Sequence, residues 1–417
     1  MRGAGNGAAR APIRILRPAR QARARAARRQ ARGAAVSVTD LLEGKRVCVC
    51  AGAGGVGKTT SSAAIALGMA ARGARVAVVT IDPARRLANA LGLETLENEP
   101  RRVELGRLAG AGGLEVRGEL WAMMLDPKRT FDELIDRIAP TPRRAAEIKS
   151  NRVYRELSTA VSGSQEFTAI AKLYELDQEG DFDLLVLDTP PSRSALEFLE
   201  APRRLTSFLE GGALSALVRP TGLGMRVIGR GAAPLLAALR RVTGVDLLAD
   251  LSTFFELLGE MTEDFSMRAV KVERMLRAST TAFLLVSTAQ DEPIDEAIWF
   301  RRTLRQSGLP FAGVVVNRVH HDVLGDHEPG EVEAALVGRL DPELAARVAA
   351  NFRDYHALAA HDRRNVRRLR EELGDCPLLL VPQLDDDIHD TEGLLRMHRY
   401  LFASDRERER LLADVVA

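Results

Sequence analysis

The sequence predicts a doubly wound α/β fold: a mostly parallel sheet with helices on both faces and a helical insertion subdomain. Three observations carry this prediction. Short β-rich runs alternate with helical stretches, most of those runs are apolar at every position, and one leads straight into a glycine-rich turn and an alanine-rich helix. Continuously apolar runs mark strands covered on both faces, the arrangement of a parallel sheet between helix layers.

The chain opens on an arm unlike the rest. Residues 1–35 hold ten arginines and no lysine, aspartate or glutamate, and subtracting them from the net charge of +2 leaves −8 on the other 382 residues. Alanine, glycine and arginine bury too little to offset the entropy of ordering, so a disordered arm is expected over 1–38, with the folded domain spanning 39–417. Three readings of the arm stand open: charge contact with nucleic acid or anionic lipid, a transit-like leader, or translated upstream sequence absent from the mature protein.

The predicted strands follow in order: Arg46–Ala51, Arg75–Ile81, Glu119–Leu125, Leu184–Asp188, Ala282–Ser287, Phe311–Asn317 and Leu378–Pro382. Two stretches between them, about 128–176 and 192–280, carry helical periodicity and no strand signal, so the insertion is expected to be assembled from both. Within the second, Leu247, Leu251, Phe254, Leu258, Met261 and Phe265 recur at helical spacing. That stripe reads either as ordinary core or as a wall of an apolar site for a membrane protein, a transmembrane segment or an acyl chain.

Composition bounds the setting. Apolar residues make up 46% and charged residues 28%, and no stretch approaches the length of an uncharged membrane span. Three cysteines, Cys48, Cys50 and Cys376, exclude a disulfide framework and point to a reducing cytoplasm.

The chemistry concentrates in Gly52-Ala53-Gly54-Gly55-Val56-Gly57-Lys58-Thr59-Thr60. This is the Walker A pattern of Gly, four residues, Gly, Lys and Ser or Thr, placed after a strand and opening a helix. Glycines let backbone amides converge on phosphates, and the helix N-terminus adds positive potential. Lys58 would bridge the β and γ phosphates and Thr59 would offer its hydroxyl to Mg²⁺. Two carboxylates belong to the same edge of the sheet. Asp188 ends an apolar strand and suits Mg²⁺, held through water; Asp82, closing Val78-Val79-Thr80-Ile81-Asp82-Pro83, is placed to orient an attacking water or sense the γ-phosphate.

These residues resemble the anion-transporting ATPase family, which includes the arsenite-pump ATPase and the eukaryotic ATPase that targets tail-anchored membrane proteins. The resemblance runs from about Lys45 to Leu401. It rests on the phosphate loop, on Asp82-Pro83-Ala84 as a first switch and Asp188-Thr189-Pro190-Pro191-Ser192 as a second, on Val315-Val316-Asn317 as a base-contacting strand end, and on the Leu380-Val381-Pro382 loop. Arg85-Arg86-Leu87 is similar to the actinobacterial branch. The resemblance implies a cytoplasmic dimer, peripheral to the membrane at most, that closes on two ATP molecules and opens after hydrolysis, with Asp82 positioning the water, Asn317 and Pro382 near the base, and cargo binding following the switch.

The sequence departs from the family at the second switch, where Pro190, Ser192 and Arg193 stand, and in the phosphate loop. There Ala53 replaces a signature lysine that reaches the partner's phosphates across the dimer. The expectations are therefore a homodimer with weak turnover or a heterodimer with a lysine-bearing paralogue. Asn317-Arg318-Val319-His320 lacks the aspartate that selects guanine, which favours ATP. Cys48, Cys50 and Cys376 do not form the converging thiols that arsenite needs, and the His320, His321, His327 and Asp322 loop reads as solvated rather than as a metal site. An export or targeting ATPase is the leading reading, with a partitioning or scaffolding switch as the alternative; nucleic acid is not expected as a partner.

Overall fold

The computed structural model describes residues 36–82, 85–104, 114–152, 154–155, 164–189, 254, 261–322, 329–337, 339–384, 388 and 390–414. Residues 1–35, Pro83 and Ala84, most of the 192–280 stretch and Pro190–Ser194 lie outside them; residues 36–38, expected in the disordered arm, are instead part of the fold, with Ser37 capping a helix that Val38 opens and the Val36 N–H donating to Asp405.

Among the described residues eight strands form one sheet: β1 (Val47–Ala51), β2 (Arg75–Thr80), β3 (Arg101–Arg102), β4 (Glu119–Met124), β5 (Leu184–Asp188), β6 (Thr281–Thr288), β7 (Phe311–Val319) and β8 (Leu378–Pro382). Their order is β3-β4-β2-β5-β1-β6-β7-β8. All pairings are parallel except β3 with β4. The predicted strands appear within two residues of their expected ends. Only β3 was not anticipated, because two exposed arginines carry neither periodicity nor apolar character.

Alternation divides each strand between two cores. Cys48, Cys50, Val76, Val78, Val186, Leu284, Val286 and Val315 face one layer, while Val47, Val49, Ala77, Val79, Leu185, Leu187, Leu285, Val314 and Val316 face the other. Both sets are buried, which is why these strands read as unbroken apolar runs. The first layer contains α1 (Val38–Leu42), α2 (Lys58–Ala71) and α3 (Arg86–Ala90). Further along the chain come α4 (Pro127–Ile138), α5 (Pro142–Ser150), α6 (Ser164–Glu179) and α7 (Thr262–Arg277), followed by α8 (Asp291–Gln306), α9 (Pro329–Leu336) and α10 (Pro342–Leu373). Residues of α6, α7, α8 and α10 fill the second core. The chain closes with α11 (Thr391–Phe402) on the first layer and α12 (Asp405–Asp414).

The described members of the apolar stripe, Phe254 and Met261, are both buried. Leu247, Leu251 and Leu258 lie outside the described residues, as does the side chain of Phe265. Cys48 and Cys50 put their sulfurs 4.0 Å apart on one face of β1, fully enclosed. No helix among the described residues is long and apolar enough to cross a membrane.

Helix α11 packs onto α2 where Gly68 leaves room: a Cβ there would overlap the Phe402 ring and His398. His398 stacks on Phe402 with centroids 4.6 Å apart, and Arg72 lies over the same Phe402 ring at 4.1 Å while its Nη1 stands 3.2 Å from His398 Nε2. Arginine can only donate, so His398 Nε2 accepts and the ring is neutral. Burial, then the charges of Arg72 and Arg399, push its pKa down to about 4 from 6.5.

That shift has a signed consequence. The unfolded chain takes up the proton first, so stability is full above about pH 6.5 and is lost as pH falls from there toward 4. The loss from His398 between pH 7.5 and pH 5 is expected to be about 2 kcal/mol. Urea unfolding of the chain beside His398→Gln checks it: the stability difference between them should change by that amount over the interval, and a constant difference would refute the assignment.

Candidate phosphate-binding site

Strand β1 ends in Ala51, and the chain turns at Gly52 with φ +153°. A Cβ at Gly52 would run into the Val286 carbonyl oxygen of β6, so only glycine lets the loop leave the sheet this close to the neighbouring strand. Gly57, at φ +93°, caps the start of α2, and a Cβ there would strike the Asn317 side chain. The loop is thus held between β1, β6 and the end of β7, with the N-terminus of α2 opening beneath it.

Lys58 folds back along the loop, its Nζ donating to the Ala53 carbonyl at 2.6 Å. Burial lowers its pKa, and Asp188, Asp82 and Glu296 partly offset that effect. The carboxylate of Asp188 is 2% exposed and collects two hydroxyls on one oxygen: Thr59 Oγ1 donates to Oδ2 at 2.7 Å and Thr80 Oγ1 at 2.9 Å. Its other oxygen, Oδ1, is buried without a partner among the described residues. Burial raises the Asp188 pKa to about 6 against the pull of Thr59, Thr80 and Lys58. A buried carboxylate with one idle oxygen beside a hydroxyl is a hard-oxygen donor set, and it fits a cation such as Mg²⁺ that takes one or two protein oxygens and keeps its waters.

Asp82 follows β2 by two residues. Its backbone N–H donates to Thr80 Oγ1 at 3.2 Å, and its Oδ2 lies 3.6 Å from Arg86 Nη1 at the start of α3. Thr189, directly after β5, is tied to β1, both its N–H and its hydroxyl donating to the Cys50 carbonyl.

On the far side, Asn317 is 6% exposed and its Nδ2 donates to the Val56 carbonyl at 3.0 Å. The expected base-contacting residue is therefore also a brace under the loop. Pro382 pairs with Val319 at the end of β8, on the β7 side of the loop. The structure brings Lys58, Thr59, Asp82 and Asp188 to one edge, with Gly52–Gly57 over the start of α2. His320 does not join them: its N–H and Nδ1 bond Asp362 Oδ2 at 2.8 and 2.9 Å, while Asp322 takes His356 and Arg363. Among the described residues no group of three or more histidine, cysteine, aspartate or glutamate side chains is placed to hold a metal ion.

Sequence reasoning assigned no role to Thr80 or Arg318. Thr80 was detectable as the lone hydroxyl in a buried run, but its partner depends on strand order: Thr80 registers directly with Asp188 only because β2 lies beside β5.

The model of the family described as anion-transporting ATPase matches residues 45–357. Among curated relatives, ATPase GET3 of Malassezia globosa is 26% identical over 309 residues, covering 73% of this chain and 82% of its own. ATPase BagA of Mycobacterium tuberculosis is 21% identical over 368 residues, covering 85% and 90%. A putative arsenical pump-driving ATPase of Halobacterium salinarum is 29% identical over 186 residues, covering 44% and 28%.

Proposed function

The chain belongs to the anion-transporting ATPase family, and on that premise we propose that it is a dimeric ATP switch whose nucleotide state controls a membrane-related cargo or a membrane partner. That it is a nucleotide-dependent ATPase follows from the family itself. The observation that carries the site assignment is the Thr59–Asp188–Thr80 cluster with its idle carboxylate oxygen at the mouth of the glycine loop.

On this reading the amides from Gly52 to Thr60 cradle the phosphates, and Lys58 exchanges its Ala53 carbonyl partner for phosphate oxygens. Thr59 and Asp188 would hold Mg²⁺, which supplies charge neutralisation on the phosphates when bound. Asp82 orients the attacking water and accepts its proton; phosphate and ADP are the products. Thr80 links Asp82 to Asp188, since its hydroxyl accepts from the Asp82 N–H and donates to the Asp188 carboxylate. A change at the first switch is thereby felt at the second.

Ala53 supports a subdivision of labour. Its methyl group offers no charge to a facing subunit, which fits weak turnover as a homodimer or pairing with a lysine-bearing paralogue that supplies the cation in trans. The membrane side of the proposal is supported by the family's description and by the pump-driving relative.

The test is ATP turnover and sedimentation of the purified chain beside Asp82→Ala and Ala53→Lys. Asp82→Ala should lower turnover about 10²-fold or more, Ala53→Lys should raise it about tenfold or more, and ATP should convert monomer to dimer. Sedimentation unchanged by ATP would sink the dimeric switch. Retention of a detergent-solubilised transmembrane peptide that is equal with ATP and with ADP would remove the cargo half.

A further inference from the structure

The geometry points to Arg318 as a nucleotide-clamping residue that supplies, within the same chain, a guanidinium at the phosphate loop. This rests on the reading of Gly52–Thr60 as the nucleotide seat.

Three observations on the β7 flank converge. Arg318 has φ +56°, and among the described residues only it and Arg85 adopt a positive φ without being glycine. An L side chain in that region is strained, and such strain persists where the surrounding structure holds it, most often at ligand clamps and switches. The pairing of β7 with β8 slips between Val316 and Val319, so the irregularity falls on Asn317 and Arg318 themselves. A local break of this kind re-aims a side chain beside a site. Here it aims Arg318 at the loop: Nη1 reaches the Gly55 carbonyl at 3.5 Å while the side chain as a whole stays exposed.

The same flank carries an unmet polar group. Thr288, at the end of β6, registers with Asn317 and so shares its face of the sheet; it is 7% exposed, and its hydroxyl is buried without a partner among the described residues. Asn317 is spent partly on the Val56 carbonyl. An orphan hydroxyl, a braced amide and a guanidinium held over the loop describe a surface shaped for an anionic, hydrogen-bonding ligand, and a nucleotide on the loop is that ligand. Arg318 comes from β7, on the opposite side of β1 from the β2 and β5 ends that carry Asp82 and Asp188, so it approaches the loop from the other flank. It lies in the chain whose loop lacks a lysine at position 53.

The experiment compares ATP and ADP dissociation constants for the full chain, Arg318→Ala, Arg318→Gly, Arg318→Lys and Lys58→Ala, each at low and high KCl, together with thermal unfolding without nucleotide. Arg318→Ala and Arg318→Gly should both bind ATP about tenfold or more weakly, the usual scale of a lost charge-assisted hydrogen bond. Arg318→Lys, which keeps the charge, should fall between them and the unaltered chain. Arg318→Gly should unfold at a temperature a degree or more above Arg318→Ala, because glycine relieves the positive φ that alanine retains. Equal weakening in the two, despite unequal strain, assigns the effect to the guanidinium rather than to the backbone.

The salt dependence separates a charge contact from loop bracing. The unaltered chain should lose affinity with KCl more steeply than Arg318→Ala. Parallel salt dependence, or ATP binding by Arg318→Ala equal to that of the unaltered chain while Lys58→Ala is impaired, would overturn the assignment and leave the loop reading intact. Unimpaired binding by Lys58→Ala would instead overturn the loop reading on which it rests.

Discussion

Replacing Gly52 with alanine is expected to destabilise the fold by roughly 3 kcal/mol or more and to abolish nucleotide binding. Two costs combine. The backbone there has φ +153°, and the added Cβ would overlap the carbonyl oxygen of Val286, which belongs to the β6 backbone and has no rotamer by which to yield. Relief requires moving the loop off the end of β1 or spreading β1 from β6, and either displaces the amides proposed to cradle the phosphates. Gly44→Ala is the matched control, with φ +72° and no atom near the new Cβ. It carries only the conformational cost of about 1 kcal/mol. Urea unfolding of both variants and an ATP titration of each check the contrast; similar losses in the two would mean that the approach to Val286 is not what makes Gly52 necessary.

Lys58→Met is expected to lower ATP turnover by at least 10²- to 10³-fold while changing stability by no more than about 1 kcal/mol. Lysine and methionine are close in length, so the space beside the loop stays filled. The loss of the 2.6 Å bond to the Ala53 carbonyl is set against release from burying a cation, a penalty visible in the lowered pKa of Lys58. A site built for catalysis commonly carries such a group at a cost to the fold. Turnover and urea unfolding measured on one preparation check this; a fold that collapses with the activity would make Lys58 a structural residue first.

The two predictions draw on different kinds of legibility. Lys58, Thr59 and the glycines could be read because Walker A chemistry is local: amides, helix N-terminus, lysine and hydroxyl all come from nine consecutive residues. Asp188 and Asp82 were legible by a weaker route, as carboxylates at the ends of apolar strands that share one sheet edge. Arg318 was invisible, since nothing in Asn317-Arg318-Val319 announces a positive φ or a slip in the β7–β8 pairing. The expectation for Asn317 named its neighbourhood, but its bond to Val56 joins residues far apart in the chain.

By itself the sequence determined the parallel α/β class, seven of the eight strands among the described residues and the place of the glycine-rich loop between β1 and α2, because each depends on apolar periodicity or on spacing within a few residues. Tertiary structure alone decided that β5 lies between β2 and β1, so that Thr59 and Thr80 meet on one oxygen of Asp188 while the other has no partner among the described residues. It also decided that β6 and β7 flank the loop, which leaves no room for a Cβ at Gly52 and sets Arg318 beside Gly55. The reason is physical: strand order and register emerge from packing two cores at once, and no window along the chain contains that balance.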